Sequence, residues 1–170
     1  MQHREVRTEV TAGGDTLKQV LTFSLGSEIY GIDILRVKEI RGWSPVTPIP
    51  QSPACMLGVL NLRGEILPVI DLRRRFALPA VQFTALTVII VLSVRTPRGQ
   101  RECGVVVDDV QDVVDITADS IRPAPAMNGG GAGEFIHGIA ALDQRMLVLL
   151  KADELLLHEL AADMPVSSAA

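Results

Sequence analysis

The two halves of the chain repeat the same order of features. The run GVLNLRGEILPVIDL at 58–72 aligns with GIAALDQRMLVLLKA at 138–152, an offset of 80 residues, and apolar and polar positions agree almost throughout. Upstream, EIYGIDILRVKEI at 28–40 aligns with RECGVVVDDVQDV at 101–113, an offset of 73. Each half is too small to bury its own apolar face well. The repeat therefore predicts two similar lobes that share one core and leave a groove between them.

Apolar residues alternate with polar ones along much of the chain, which indicates β-strands. In KQVLTFSL the residues Leu21, Phe23 and Leu25 fall on one face, and Gly26-Ser27 then fits a two-residue hairpin turn. The halves also share a proline-rich loop, Pro48-Ile49-Pro50 in one and Pro123-Ala124-Pro125 in the other. The pattern predicts a mainly β fold whose further strands are EIYGIDI, GVLNL, EILPVI, LTVIIVL (the most buried), CGVVV, VQDVVDI, FIHGIAAL and RMLVLL.

Helices are predicted at only a few places. Asp71 is placed to cap a short helix, LRRRFAL, and ADELLLHELA reads as a C-terminal helix with Leu156 and Leu160 inward. The segment LRVKEIRGW fits either a helical turn or a strand. Pro68 in EILPVI lacks a donor N–H, so it restricts that strand to a sheet edge or a bulge.

Composition excludes several classes of function. A net charge of −4 and only four Phe, one Tyr and one Trp argue against nucleic-acid binding, which needs clustered cations and stacking platforms. The N-terminus has no apolar stretch typical of a signal peptide, and no apolar run is long enough to span a bilayer. Cys55 and Cys103 fit a reducing compartment, where each acts as a small apolar residue. We expect a soluble, cytoplasmic protein without direct membrane insertion.

The sequence contains no recognisable catalytic or metal-binding motif. His3, His137 and His158 lie far from one another and lack metal-ligand spacing, and His137 is expected on a strand surface. Asp108 and Asp109 alternate along a predicted strand, which sends their carboxylates to opposite faces. We therefore expect no enzyme activity, no metal and no cofactor.

A few charged residues lie where a β protein has no structural need for them. Glu39 in RVKEI fits a solvated strand residue or a binding residue. Arg63 sits at a hairpin corner, where Asn or Asp is preferred and where its planar fork suits a carboxylate or carbonyl of another protein. Arg73, Arg74 and Arg75 form a basic cluster that we interpret as a solvated helix face, with one member paired to Asp71.

These residues lie within a run that resembles a known family. FSLGSEIYGIDILRVKEI and VTPIPQSPACMLGVLNLRGEILPVIDLRRRF are similar to the first half of CheW-type coupling domains, and CGVVVDDVQDVVDI, IRPAP, FIHGIA and RMLVLL continue the likeness. The resemblance spans roughly residues 18–160. It implies two intertwined five-stranded β-barrels of Src-homology-3 type, with short helices. The expected organisation is a flexible tail at 1–16, the domain at 17–161 and a second tail at 162–170.

The resemblance also implies a function. Of the proteins that carry this domain, the length of the chain favours the free adaptor over CheA or CheV, which add a kinase or a receiver. Such an adaptor binds the cytoplasmic tip of methyl-accepting chemoreceptors and the regulatory domain of the histidine kinase CheA. By motif, Glu39 and Arg63 match receptor- and partner-binding positions, and Val37, Gly58 and Gly64 are expected along the same groove. The residues that contact the kinase stay unnamed, beyond an expected apolar patch at a barrel end.

Two other readings stay open. The chain fits a coupling protein of a parallel pathway such as pilus motility. From a different class, it fits a small-ligand-binding β-barrel that uses the groove between the lobes. That second reading requires converging polar groups, which the sequence does not reveal.

Overall fold

A computed structural model describes residues 11–12, 15–124 and 132–161, and the side chains at 18–124, 134–157 and 160. The rest of the predicted N-terminal tail, the glycine-rich loop as far as residue 131 and the tail from residue 162 lie outside the described residues. Thr11–Ala12 pairs with the start of the next strand, so the predicted tail is not irregular throughout.

The described chain is mainly β. Its strands are β1 Thr11–Ala12, β2 Asp15–Leu25, β3 Glu28–Asp33, β4 Val37–Gly42, β5 Met56–Leu62, β6 Glu65–Asp71, β7 Val88–Thr96, β8 Gly99–Val107, β9 Asp109–Thr117, β10 Ile136–Leu142 and β11 Arg145–Leu150. Two α-helices, α1 Leu72–Arg75 and α2 Ala152–Ala161, occupy the predicted positions. The segment LRVKEIRGW, which fitted either a helical turn or a strand, contains both: a 3-10 helix over Ile34–Arg36 is followed by β4.

The strands form two intertwined sheets. In the first sheet the order is β9-β2-β3-β11-β10, with β1 also paired to β2. In the second sheet the order is β4-β7-β8-β6-β5. The first sheet therefore combines strands from both ends of the chain, and the second takes the strands between. This arrangement confirms the predicted fold class of two five-stranded lobes.

The strand registers reproduce the sequence repeat. β3 runs parallel to β11 with Gly31 opposite Leu149, and β8 runs parallel to β6 with Gly104 opposite Val69. The two pairs are related by the same offsets that align the two halves of the sequence. Because both parallel pairs set a glycine opposite an apolar residue at equivalent positions, the two halves resemble each other in structure as well as in sequence.

The largest core is shared by both sheets, and each sheet also has a smaller apolar cluster of its own. The largest apolar cluster joins Phe23 and Ile32 of the first sheet to Ile90 and Leu92 of the second, and α2 closes it. In α2 the buried leucines are Leu155, Leu156 and Leu160. Burial of apolar surface is the main favourable term in folding, so the two lobes stabilise each other rather than fold separately. The predicted shared interior is confirmed.

The chain passes between the sheets at two crossovers, and an ion pair holds each one. After β3, Arg36 of the 3-10 helix donates both terminal guanidinium nitrogens to Asp153 of α2, at 2.9 and 2.7 Å. After β8, Asp108 accepts two bonds from Arg73 of α1, at 2.9 and 2.7 Å. In the sequence repeat Arg73 aligns with Asp153, and Arg36 aligns with Asp109, the residue after Asp108. The two pairs therefore occupy closely similar places with the charges exchanged.

These pairs correct two predictions. Asp108 does not belong to a strand: it is the bend between β8 and β9, where the chain changes sheets. The arginine cluster is not simply a solvated face. The Arg73 side chain is 12% exposed in its pair with Asp108, Arg74 lies 3.7 Å from Asp71, and the Arg75 guanidinium stacks over the Phe135 ring at 4.8 Å. The pairing of Arg74 with Asp71 agrees with the prediction, and Arg74 is half exposed, whereas Arg73 is turned inward at the β8–β9 crossover.

Pro68 is also placed differently from expectation. β6 lies between β8 and β5, so it is not an edge strand. Its pairing with β8 begins only at Val69, however, directly after the proline. The missing N–H thus falls in the half of β6 that has β5 alone as a neighbour, where no ladder bond to β8 is lost. The same geometry separates the first halves of β6 and β8 and opens a groove.

Candidate functional site

Glu39 lies on β4, an edge strand of the second sheet that pairs with β7 alone. Exposure alternates along β4: Val37, Glu39 and Arg41 are half-buried, while Lys38 and Ile40 face solvent. Period-two alternation puts Arg41 on the same face as Glu39. The Glu39 carboxylate therefore points along the protein surface toward neighbouring groups and is not simply solvated.

Arg63 is held in an unusual backbone conformation. Arg63 and Gly64 form the two-residue turn between β5 and β6, with φ values of 58° and 87°. Asn61 supports this turn, because its side-chain oxygen accepts the Gly64 N–H at 3.0 Å. The left-handed region disfavours a non-glycine residue, so arginine is not there for the sake of the turn. Its side chain is 70% exposed.

The structure brings these two residues together. Arg63 Nη2 donates to Glu39 Oε1 at 2.7 Å, and Arg41 Nη1 lies 3.5 Å from Glu39 Oε2. The hydrogen bond from Arg63, followed by the charges of Arg63 and Arg41, lowers the pKa of Glu39. The Nε atom of Arg41 is buried without a hydrogen-bond partner among the described residues. The Glu39 carboxylate therefore lies between the guanidinium groups of Arg63 and Arg41.

A groove of about 530 Å³ opens beside Arg63. It exists because β6 and β8 pair only from Val69 and Gly104 onward, so that their first halves separate. Apolar and charged side chains alternate around it. They are Leu62, Arg63, Glu65, Ile66, Leu67, Pro68, Gln100, Arg101 and Glu102. Such a mixed lining suits a protein segment with both apolar and ionic contacts better than a small apolar ligand.

The three other expected site residues, Val37, Gly58 and Gly64, differ in their surroundings. Gly64 lies in the turn beside Arg63. Val37 is separated from Glu39 by a β-bulge, pairs with Leu92 and packs against the largest core cluster. Gly58 is different: it is buried, and a Cβ atom there would run into the backbone of Thr47. Gly58, like Val37, Glu39 and Gly64, is not among the residues that line the groove, and the proline-rich loop lies directly on it.

The sequence repeat explains Gly58. An isolated bridge joins Thr47 to Val59, and an equivalent bridge joins Arg122 to Ile139 in the other half. A Cβ atom on Gly138, the counterpart of Gly58, would likewise meet the backbone of Arg122. Gly58 and Gly138 each allow a loop backbone to approach closely because they have no side chain. Packing alone therefore requires glycine at position 58, whether or not it contacts a partner.

Sequence reasoning missed four contributors to the site. Arg41 was detectable, because alternation places it two residues from Glu39 on the same face. Ile66, whose side chain is 59% exposed at the groove, breaks the apolar-inward pattern of β6. Arg101 and the neighbouring Glu102 come from β8, and only the three-dimensional arrangement brings them to Arg63.

A second cavity of about 220 Å³ lies near α2, with charges of both signs around it. His137 is exposed on β10, as expected, and its pKa is lowered by partial burial and by the charges of Lys18 and Lys151. Asp33 and Asp153 also line the cavity. Among the described residues no three His, Cys, Asp or Glu side chains come close enough to hold a metal ion.

Comparison with known proteins identifies the family of the chain as a whole. In the part of the chain that the structure describes, no helix is long and apolar enough to cross a membrane. The family model for the CheW-like domain matches residues 19–160.

Individual relatives agree over most of their length. The chain is 48% identical to the chemotaxis protein CheW of Klebsiella aerogenes over 148 residues, 87% of each chain. It is 40% identical to the probable chemotaxis protein CheW of Rhizobium etli over 138 residues, 81% of this chain and 86% of that one. The crystal structure of the scaffolding protein TtCheW from Thermoanaerobacter tengcongensis superposes with a TM-score of 0.73 at 34% identity, covering 82% and 92% of the two chains. The chain therefore belongs to the CheW-like domain family.

Proposed function

We propose that the chain is a scaffold protein that couples chemoreceptors to the histidine kinase CheA. The observation that carries this proposal is the exposed Arg63 guanidinium, held at a groove rim by Glu39. The relatives' description as chemotaxis and scaffolding proteins supports it. The acting unit is residues 17–161, and the setting is the cytoplasm, beneath membrane receptor arrays.

In this proposal the Arg63 side chain binds the cytoplasmic tip of a receptor. Nη2 is the only Arg63 nitrogen that donates to a described residue, and most of the fork faces solvent. A planar fork of this kind recognises a carboxylate or the carbonyl end of a helix by paired hydrogen bonds. Glu39 aims the fork and Gly64 permits the turn that carries it. Val37, two residues before Glu39 on β4, is also assigned to this contact.

The proposed role is binding and not catalysis. The regulatory domain of CheA is the second partner, at a separate face. Two contacts of about micromolar affinity each hold little together alone. Joined into a larger assembly they act intramolecularly and gain orders of magnitude in avidity. A receptor rearrangement then changes kinase activity only through contacts whose energies differ between receptor states.

The experiment is co-sedimentation of the chain with receptor signalling fragments and CheA. Arg63→Glu is expected to raise the dissociation constant for receptor about tenfold or more, because reversal of an interfacial charge juxtaposes like charges. Arg145→Glu is the matched control, since Arg145 is an exposed arginine at the equivalent hairpin of the first sheet. Normal receptor coupling by folded Arg63→Glu would refute the assignment. Fragments from a pilus-motility receptor, tested in parallel, identify the pathway served.

A further inference from the structure

The chain changes sheets at Asp108 through a single residue. β8 ends at Val107 in the second sheet, and β9 begins at Asp109 in the first. A connection of one residue has no length to spare, so its bent form requires an outside constraint. A straightened Asp108 would merge β8 and β9 into one continuous strand. Short connections of this kind are where protein chains exchange elements with a second copy.

The constraint at Asp108 is visible. Its carboxylate accepts Arg73 Nε at 2.9 Å and Arg73 Nη2 at 2.7 Å. The same carboxylate accepts the Gly26 N–H at 2.8 Å, from the turn between β2 and β3. Its own N–H donates to the Ser24 carbonyl at 3.1 Å. One residue is thus fixed from α1 and from the first hairpin together.

The other crossover is built differently. It spans three residues, Ile34–Arg36, which form a 3-10 helix. Asp33 caps that helix by accepting the Leu35 N–H at 2.9 Å, and the Val37 N–H bonds back to Ile34. These local bonds hold the bend in addition to the ion pair between Arg36 and Asp153. At the Asp108 crossover, by contrast, the bonds that hold the bend come from distant residues, Ser24, Gly26 and Arg73.

We propose that Asp108 is a latch that keeps the chain monomeric. When its pair with Arg73 is broken, β8 and β9 straighten, and β9, β10, β11 and α2 move onto a second copy of the chain. There β9 pairs with the partner copy's β2 in the register seen within one chain. Because the exchanged dimer makes the same strand and core contacts as two monomers, the hinge conformation and the protein concentration decide between the two forms.

A cross-strand disulfide reports which chain supplies β9. Gln19 on β2 faces Asp115 on β9, and the two side chains are hydrogen-bonded at 3.2 Å. Gln19→Cys with Asp115→Cys closes a bond within one chain in the monomer and between two chains in the exchanged dimer. The full chain carrying this pair is concentrated, oxidised and run on a non-reducing gel beside a light-scattering measurement of mass.

Asp108→Ala or Arg73→Ala, in the cysteine-pair background, is expected to raise the covalent dimer about tenfold or more, since removal of one partner leaves the other uncompensated. Two glycines inserted after Asp108 are expected to restore the monomer, because a longer hinge can bend without the latch. Asp153→Ala is the matched control and is expected to stay monomeric. Monomeric Asp108→Ala and Arg73→Ala, disulfides within each chain of a dimer, or equal dimer from Asp153→Ala would overturn the proposal. The result is independent of receptor binding.

Discussion

Arg63 Nη2 lies 2.7 Å from Glu39 Oε1, although the two residues are 24 positions apart and belong to opposite edges of one sheet. Glu39 sits on edge strand β4, and Arg63 sits on the turn that leaves edge strand β5. The guanidinium is 70% exposed, so the contact does little to bury surface. An exposed ion pair contributes little to stability, which leaves orientation of the arginine as its main effect.

A charge exchange separates orientation from partner binding. Glu39→Arg combined with Arg63→Glu recreates an ion pair with the charges reversed. We expect an unfolding midpoint in urea somewhat below that of the parent, because Glu39→Arg also faces Arg41, and no recovery of receptor binding. The measurement is urea denaturation together with co-sedimentation. If the exchanged pair binds receptor as the parent does, Arg63 acts only within its own chain.

Gly58→Ala is expected to destabilise the protein by roughly 1–3 kcal/mol, the range of substitutions that overpack a core. The reason is a φ of 154° together with a Cβ atom that would overlap the Thr47 carbonyl. Gly42→Ala is the control, since no atom lies within 4 Å of its Cβ position. Unfolding free energies from denaturant titration measure both. Comparable, small effects in the two variants would contradict the packing role of Gly58.

The ion pair at Asp108 predicts a pH dependence of stability. The hydrogen bond from Arg73, aided by the Gly26 N–H, lowers the pKa of Asp108 despite partial burial. A lowered pKa in the folded state stabilises the fold above the unfolded carboxyl value of about 3.9, and that stabilisation is lost as the pH falls below it. The stability difference between the parent and Asp108→Asn should therefore shrink below about pH 4. Denaturant titrations at low protein concentration measure it, and a difference that is constant with pH would contradict the assignment.

Trp43 offers a spectroscopic test of the loop before β7. The Trp43 and Phe83 rings pack with centroids 4.3 Å apart, and Trp43 is the only tryptophan in the chain. Phe83→Ala should uncover the indole and shift its emission to longer wavelength. Val81→Ala, at a neighbouring exposed position of the same loop, should leave the spectrum unchanged. An unshifted spectrum in Phe83→Ala would show that the ring contact does not shield Trp43.

Much of the fold was predictable because local sequence patterns determine its strands and turns. Alternation located the strands, and Gly26-Ser27 and Arg63-Gly64 located two hairpins that the structure confirms. The repeat identified equivalent strands before their partners were known. What alternation could not reveal was the change of sheet at Asp108, since a strand pattern continues across the bend.

The site was predictable in part. Resemblance and turn chemistry selected Glu39 and Arg63 separately, but their contact depends on strands that meet only in three dimensions. Arg73 was misread because a short helix with three arginines appears solvated until its neighbours are known. Gly58 was placed at the groove, whereas the proline-rich loop covers it. In each case the deciding neighbour is distant in sequence.

The distribution of strands between the sheets also affects how the chain folds during its synthesis on the ribosome. Gln19 and its partner Asp115 are 96 residues apart, so the first hairpin emerges long before the strand that completes its sheet. During that interval the apolar face of the hairpin has no native cover. Strands that pair over such a long separation in sequence form slowly, and apolar surface that is prone to aggregation stays exposed until they do. We therefore expect chaperones to engage the nascent chain until β9 is made.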